Sequence, residues 1–449
     1  MDRGRSIVAD LNPGPASPSR IRSRVVLAAL CGVYVLNFLD RQLLGILAKP
    51  IQDTLHVSDH QLGLIGGLYF ALFYCFIAIP VGWLADRTHR VPVVTAACAI
   101  WSAATLACGL ASNYAQLVAA RMAVGFGEAG GVPPSYAIIC DYFPAGRRGT
   151  ALGIYNVSPA VGAALGIAFG ASIAATYSWR HAFMLLGAVG LLTALLVPLL
   201  VPAPRVGQLD PPAKAPAPSG FRDTLTMFFT RRDLLLAALG SGATQFITYG
   251  LGNFATLFLM REKGMSLDEV ALYYALVVGV GMSAGIFVSG RLLDRFTRRW
   301  SQAYALIPAA SLTLAAPLYA LFVGATSWPV ALLFLLGPTF LNYFYLSSSV
   351  ALVQERVRPE QRAMSGALLL LVMNFIGLGL GPTYVGAASD LLRGPYPGHS
   401  LQMALYSLLP CYGIAIGCFL ALAKTLKQDT ARTRSSRPSC PSASGSPLP

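Results

Sequence analysis

Charge is what this sequence lacks most. Of its 449 residues only 12% are Asp, Glu, Lys or Arg, roughly half the share of an ordinary soluble domain. So few charges cannot coat a water-facing surface. The apolar residues, 55% of the chain, gather in runs of about 20 or more, long enough to cross a ~30 Å hydrocarbon layer as helices. These runs lack the period-2 alternation of barrel strands, which excludes a porin-like sheet. Other absences narrow the function. The eight cysteines form no C-x-x-C pair and mostly fall inside apolar runs, so they read as small hydrophobes rather than metal ligands or a disulfide frame. The five histidines all lie in loops, and His56 with His60 alone makes a poor metal site. There is no P-loop G-x4-G-K-[ST], no nucleophile elbow and no metal-ligand cluster. An enzyme, a cofactor and an ATP-driven pump within this chain are therefore not expected. The first twenty residues carry no short apolar core with a small-residue cleavage site, so no cleaved signal peptide is expected.

What is present is a series of twelve apolar segments. They lie near 25–48, 61–84, 92–111, 115–139, 150–175 and 181–202, then near 234–260, 270–290, 302–323, 329–353, 364–388 and 402–424. The Pro-rich polar stretch between the two sets reads as a linker. The expected organisation is a disordered arm (1–24), a six-helix half (25–202), a linker (203–232), a second six-helix half (233–428) and a disordered tail (429–449). The net charge of +14 is explained by topology: 26 of the 33 basic residues fall on the arm, the tail and alternate loops. By the positive-inside rule both termini face the cytoplasm, and no nucleic-acid partner is needed to account for the basic balance.

The halves repeat. "GWLADRTHR" (82–90) follows the second segment and "GRLLDRFTRR" (290–299) the eighth, both carrying G-x3-D-R-x2-R at an offset of 208 residues. Asp141 and Arg148 flank one loop, and Glu355 and Arg362 flank another 214 residues later. Two six-helix repeats about an axis along the membrane normal are a transporter arrangement. The expected fold class is an all-α polytopic membrane protein with twelve transmembrane helices in two pseudo-symmetric six-helix halves.

Both loop copies resemble the 2–3 loop signature of the major facilitator superfamily, with Gly82, Asp86, Arg87 and Arg90 in the first and Gly290, Asp294, Arg295 and Arg298 in the second. The first copy departs from the pattern at Val91, where a final basic residue is usual. In the fourth segment, "ARMAVGFGEAGGVPPSYAIICDYFPAGRRG" holds R-x3-G-x-G, and with "NFLDR" (37–41) it resembles the spinster-type branch and its bacterial relatives over residues 30–180. The second half supports the superfamily only. The resemblance implies alternating access, a gating role for the loop motifs, acids that couple protons, and arginines that pair with acids or substrate.

Asp40, Arg41, Arg121 and Glu128 are the ionisable acids and bases well inside the apolar runs, cysteine and tyrosine aside. Each costs roughly 2.5–3.5 kcal/mol at the bilayer centre, so each is expected to face the interior and find a partner. Arg121 and Glu128, seven apart, share one helix face. Asp40 and Glu128 are the candidate proton carriers, and Arg41 and Arg121 the charge partners or binders of a substrate anion. Neutral cavity groups are expected from Asn37 in the first half and from Gln245, Tyr249, Asn253, Asn342, Tyr343 and Tyr345 in the second. The expected activity is proton-coupled transport of an amphiphilic or organic anion, and the resemblance sharpens this to a lysolipid or sphingoid phosphate. A sugar-acid or carboxylate symporter and a non-transporting membrane receptor are the alternatives. The partners expected are a small-molecule or lipid substrate, protons and membrane lipids, with the monomer as the working unit in a bacterial inner membrane.

Overall fold

The computed structural model describes residues 20–203, 221–297, 299–358 and 361–435; the side chains at 82, 83, 85–87, 145, 146, 149, 221, 363 and 430–435 lie outside that description. Eleven helical segments are long and apolar enough to cross a membrane. They are spans one (Arg20–Ile46), two (Asp59–Val81), three (Arg90–Leu110), five (Thr150–Thr176) and six (Trp179–Leu200) in the first half. Spans seven (Arg232–Lys263), eight (Leu267–Thr297), nine (Ala303–Gly324), ten (Trp328–Arg356), eleven (Met364–Leu392) and twelve (Ser400–Asp429) make the second.

The expected fourth crossing is broken. It runs as Tyr114–Glu128 and then Val132–Tyr142, joined by a turn, so neither piece alone is long enough to span. The sequence explains the break. Gly130 and Gly131 weaken the helix, and Pro133 and Pro134 cannot donate backbone hydrogen bonds to the turn before them. At the start of the second piece those prolines cost little, because its first amides have no helical partner anyway. Taken together as span four, the two pieces complete a set of six in the first half.

Span starts are marked locally. Ser58 and Gln61 form a reciprocal capping box ahead of span two, and Ser266 and Glu269 form one ahead of span eight. Asn113 accepts from the Gln116 amide at 3.0 Å at the head of span four. Span seven ends at Gly264, whose φ of 72° favours a residue without a Cβ.

Both halves pack by one scheme. Span one lies on span five, two on four, three on four and six; correspondingly, seven lies on eleven, eight on ten, nine on ten and twelve. The glycines of span five show how closely. A Cβ on Gly162, Gly166 or Gly170 would stand 2.5–2.8 Å from span one atoms at Val35, Leu39 and Leu43, so this face admits only small residues. The loop repeat is also structural. Arg148 Nε donates to the carbonyls of Cys140 and Phe143, and Arg362 Nε to that of Gln354, each fastening the end of its span. Arg90 pairs with Asp141 at 2.5 Å, and 214 positions later Tyr304 donates to Glu355.

Three expectations about boundaries are corrected. The arm expected to be disordered to residue 24 is helical from Arg20, and helix persists past Asp429 to Ser435. The expected linker contains a helix, Phe221–Thr230. There Thr224 and Phe228, four apart, are buried, an amphipathic pattern that the Pro-rich composition upstream obscured. The rest of the linker from 204 to 220, the arm before 20 and the tail after 435 fall outside the described residues.

Candidate functional site

The four charges of the apolar interior meet across spans one and four. Arg41 Nε donates to Glu128 Oε2 at 2.7 Å, and Arg121 Nη1 to Asp40 Oδ2 at 3.2 Å. Asp40, Arg121 and Glu128 are buried, and 9% of the Arg41 side chain is exposed. The pairing crosses over: neighbours on span one take partners seven residues apart on span four. Neighbouring helix residues point about 100° apart, and two long arginine side chains cover the difference. Each pair is neutral, as a low-dielectric interior demands.

Two further groups hold the cluster. Thr105 on span three donates its hydroxyl to Asp40 Oδ1 at 2.9 Å, so that carboxylate is clamped from two helices. Aromatic rings surround the Arg41 guanidinium: Tyr74 at 4.6 Å, Phe38 at 5.0 Å and Phe70 at 5.4 Å, with Arg121 also 5.4 Å from Phe70. Ring faces attract such cations without carrying a charge that would compete with the carboxylates. Asn37, one turn before Asp40 and Arg41, is buried, and among the described residues neither its Oδ1 nor Glu128 Oε1 finds a hydrogen-bond donor. The sequence reading missed Thr105, Phe70 and Tyr74, which carry no charge to mark them.

From the second half, Tyr249 on span seven stands beside Arg41, and Gln245, one turn away, lies beside Tyr345 of span ten. Tyr343 neighbours Tyr249 and Tyr274 and packs where Ala160 and Ala163 of span five meet Met282 of span eight. Two of the residues expected at the cavity make other contacts. Asn342 is buried and donates to the Tyr412 hydroxyl at 3.0 Å, which fastens span ten to span twelve. Asn253 donates to the Tyr249 carbonyl at 3.1 Å and stands against Gly66 of span two.

Of the loop motifs, Arg90 is described in its ion pair with Asp141, and Asp294 and Arg295 are exposed. Gly290 has nothing within 4 Å of where a Cβ would stand, so no close helix approach explains it. The side chains at Gly82, Asp86 and Arg87, and all of Arg298, lie outside the described residues.

A buried, charge-balanced cluster in the first of two repeated helical halves suits translocation rather than bond-making. The family model of the Major Facilitator Superfamily matches residues 30–382. The chain belongs to that superfamily. Within the major facilitator superfamily it is related to the spinster type. It is 31% identical to the "MFS-type efflux pump" of Mycolicibacterium smegmatis over 91% of this chain and 94% of that one. It is 28% identical to "Protein spinster homolog 3" of Danio rerio over 93% and 88% of the two chains. The crystal structure of a bacterial homolog of the human lysosomal transporter Spinster, in an inward-facing and unoccupied conformation, covers 92% of this chain and 99% of its own. That match has a TM-score of 0.85 and 30% identity. The protein is an integral multi-pass transporter and not an enzyme.

Proposed function

We propose that this transporter is proton-coupled and moves an amphiphilic or organic anion by alternating access between its halves. The crossed pairing at the centre carries the reading. Arg41 is the one member of the cluster that combines partial exposure, an aromatic surround and contact with the second half. A substrate anion that takes Arg41 displaces Glu128. A carboxylate left alone in a buried site costs several kcal/mol, so proton uptake by Glu128 accompanies the exchange. Asp40, held by Arg121 and Thr105, is the second proton site. The tyrosines and Gln245 opposite supply hydroxyl, amide and aromatic surface for the body of the substrate.

The spinster relatives favour a lysolipid or sphingoid phosphate, whose one anionic group matches one available arginine. The alternative is a sugar-acid or carboxylate symporter. The basic loops favour both termini on the cytoplasmic side of a bacterial inner membrane, with the monomer as the proposed working unit. Proteoliposome flux of lysophospholipid, sphingoid phosphate and sugar acid, each at several external pH values, separates these readings. Glu128→Gln is expected to abolish the pH dependence while leaving binding to Arg41 possible. A variant that moves every substrate with the parent's pH profile overturns the coupling.

A further inference from the structure

A second charge cluster, built round a buried carboxylate, lies apart from the first, where the two halves meet on the face away from the termini. Its centre is Asp59, the first residue of span two, with no exposed surface. Arg261 of span seven grips this carboxylate with both Nη atoms, at 3.0 and 2.9 Å. Ser389 of span eleven donates its hydroxyl at 2.6 Å, Gln52 donates from the same half at 2.5 Å, and Arg393 stands at 3.6 Å. The backbone closes equally tightly. A Cβ on Gly386 would stand 2.3 Å from the Asp59 carbonyl oxygen, one on Gly63 would stand 2.4 Å from that of Pro382, and one on Gly67 2.7 Å from that of Gly379. Among the described residues, a run of hydrogen bonds and ion pairs joins the halves on this face, between 59–68 and spans seven and eleven.

We infer that Asp59, with Arg261 and Ser389, is the latch that holds the transporter shut on the face away from its termini. The cluster has a complete set of partners for both positions of a switch. With the halves apart, Asp59 keeps Gln52 from its own side, Arg261 keeps the adjacent Glu262, now at 3.9 Å, and Arg393 keeps Asp390 at 2.9 Å. Water entering the parted seam hydrates the remainder. A buried carboxylate robbed of its arginine elsewhere in a protein would destabilise the fold. Here a cheaper escape exists, because opening the seam exposes Asp59 to solvent. The latch residues therefore set the balance between closed and open forms rather than the stability of either half. This inference goes beyond the proposed substrate and coupling, and its test needs neither.

The test is a distance measurement by double electron–electron resonance on the full chain in nanodiscs without substrate. Spin labels on a keto amino acid at exposed positions 53 and 395 report the latched face, and labels at 147 and 358 the opposite face. Asp59→Asn and Arg261→Gln are each expected to shift the closed-to-open ratio at least about tenfold towards a longer 53–395 distance, the loss of one charged hydrogen-bonded pair. The 147–358 distance shortens in step. The double variant opens no further than either single one, since both remove the same interaction. Ser389→Ala gives a shift of a few-fold. Gly63→Ala, which leaves every latch group intact, opens the same face by wedging the seam. Folded variants that keep the parent's 53–395 distribution overturn the inference, as does opening of the other face. If Asp59→Asn fails to fold, Arg261→Gln and Ser389→Ala decide by the same criterion.

Discussion

The two halves are built alike and furnished differently. In both, an arginine donates to a carbonyl eight residues back in the last turn of a span and fastens that end, at Arg148 and again at Arg362, and the helices pack in the same order. In the interior the likeness stops. The first half presents two crossed ion pairs, whereas the second presents tyrosine and glutamine. Repeated scaffold and unlike interior mean that the helical frame constrains the caps and crossings while the cavity wall is free to diverge. One half then holds the buried charge, and the other meets it with neutral polar and aromatic groups.

The sharpest way to break this contrast is to leave one charge of the first half alone. Arg41→Ala strands Glu128 and is expected to cost about 3–5 kcal/mol of stability, read as a lowered thermal midpoint in nanodiscs. Replacing both partners, Arg41→Met with Glu128→Leu, should recover most of that loss and yet transport nothing. A double variant as unstable as the single one would refute the charge-balance account. Next in size is Asn342→Leu in the neutral half, expected to cost about 1–2 kcal/mol through the orphaned Tyr412 hydroxyl. Because Asn342 faces span twelve, substrate affinity should stay at the parent's value; a change in affinity would return it to the cavity wall. Thr105→Val removes one hydroxyl from Asp40 and should cost about 1 kcal/mol, with Thr105→Ser close to the parent. The smallest effects test the likeness itself. Arg148→Ala and Arg362→Ala should each cost about 1 kcal/mol, and unequal losses would show that the repeat is one of shape rather than of energy.

The sequence made the central charges legible because a charge in an apolar run must be accounted for energetically. It did not reveal who pairs with whom. Neighbouring residues on span one reach different turns of span four, and that depends on side-chain direction rather than spacing. Thr105 was illegible for a different reason. A threonine in a membrane helix ordinarily bonds to its own backbone one turn back, as Thr244 does to Gly240 and Thr248 to Thr244, and nothing local distinguishes the exception. Asn342 shows the reverse error, a polar side chain assigned to the cavity that instead ties two helices together. Asp59 and Arg261 sit at span ends, where charges look like ordinary loop residues. Their importance appears only when residues some 200 positions apart come together. The break in span four, by contrast, stood in plain view as Gly-Gly and Pro-Pro.

That break gives the centre of the molecule a joint. Arg121 and Glu128 ride on the piece that ends at the turn, while the piece beyond it is anchored through Asp141 to Arg90. A continuous rod would have to tilt the anchored end in order to move Glu128 away from Arg41. A jointed one can swing the charged end while the far end stays moored, so a small displacement at the central ion pairs need not be transmitted to the loop below.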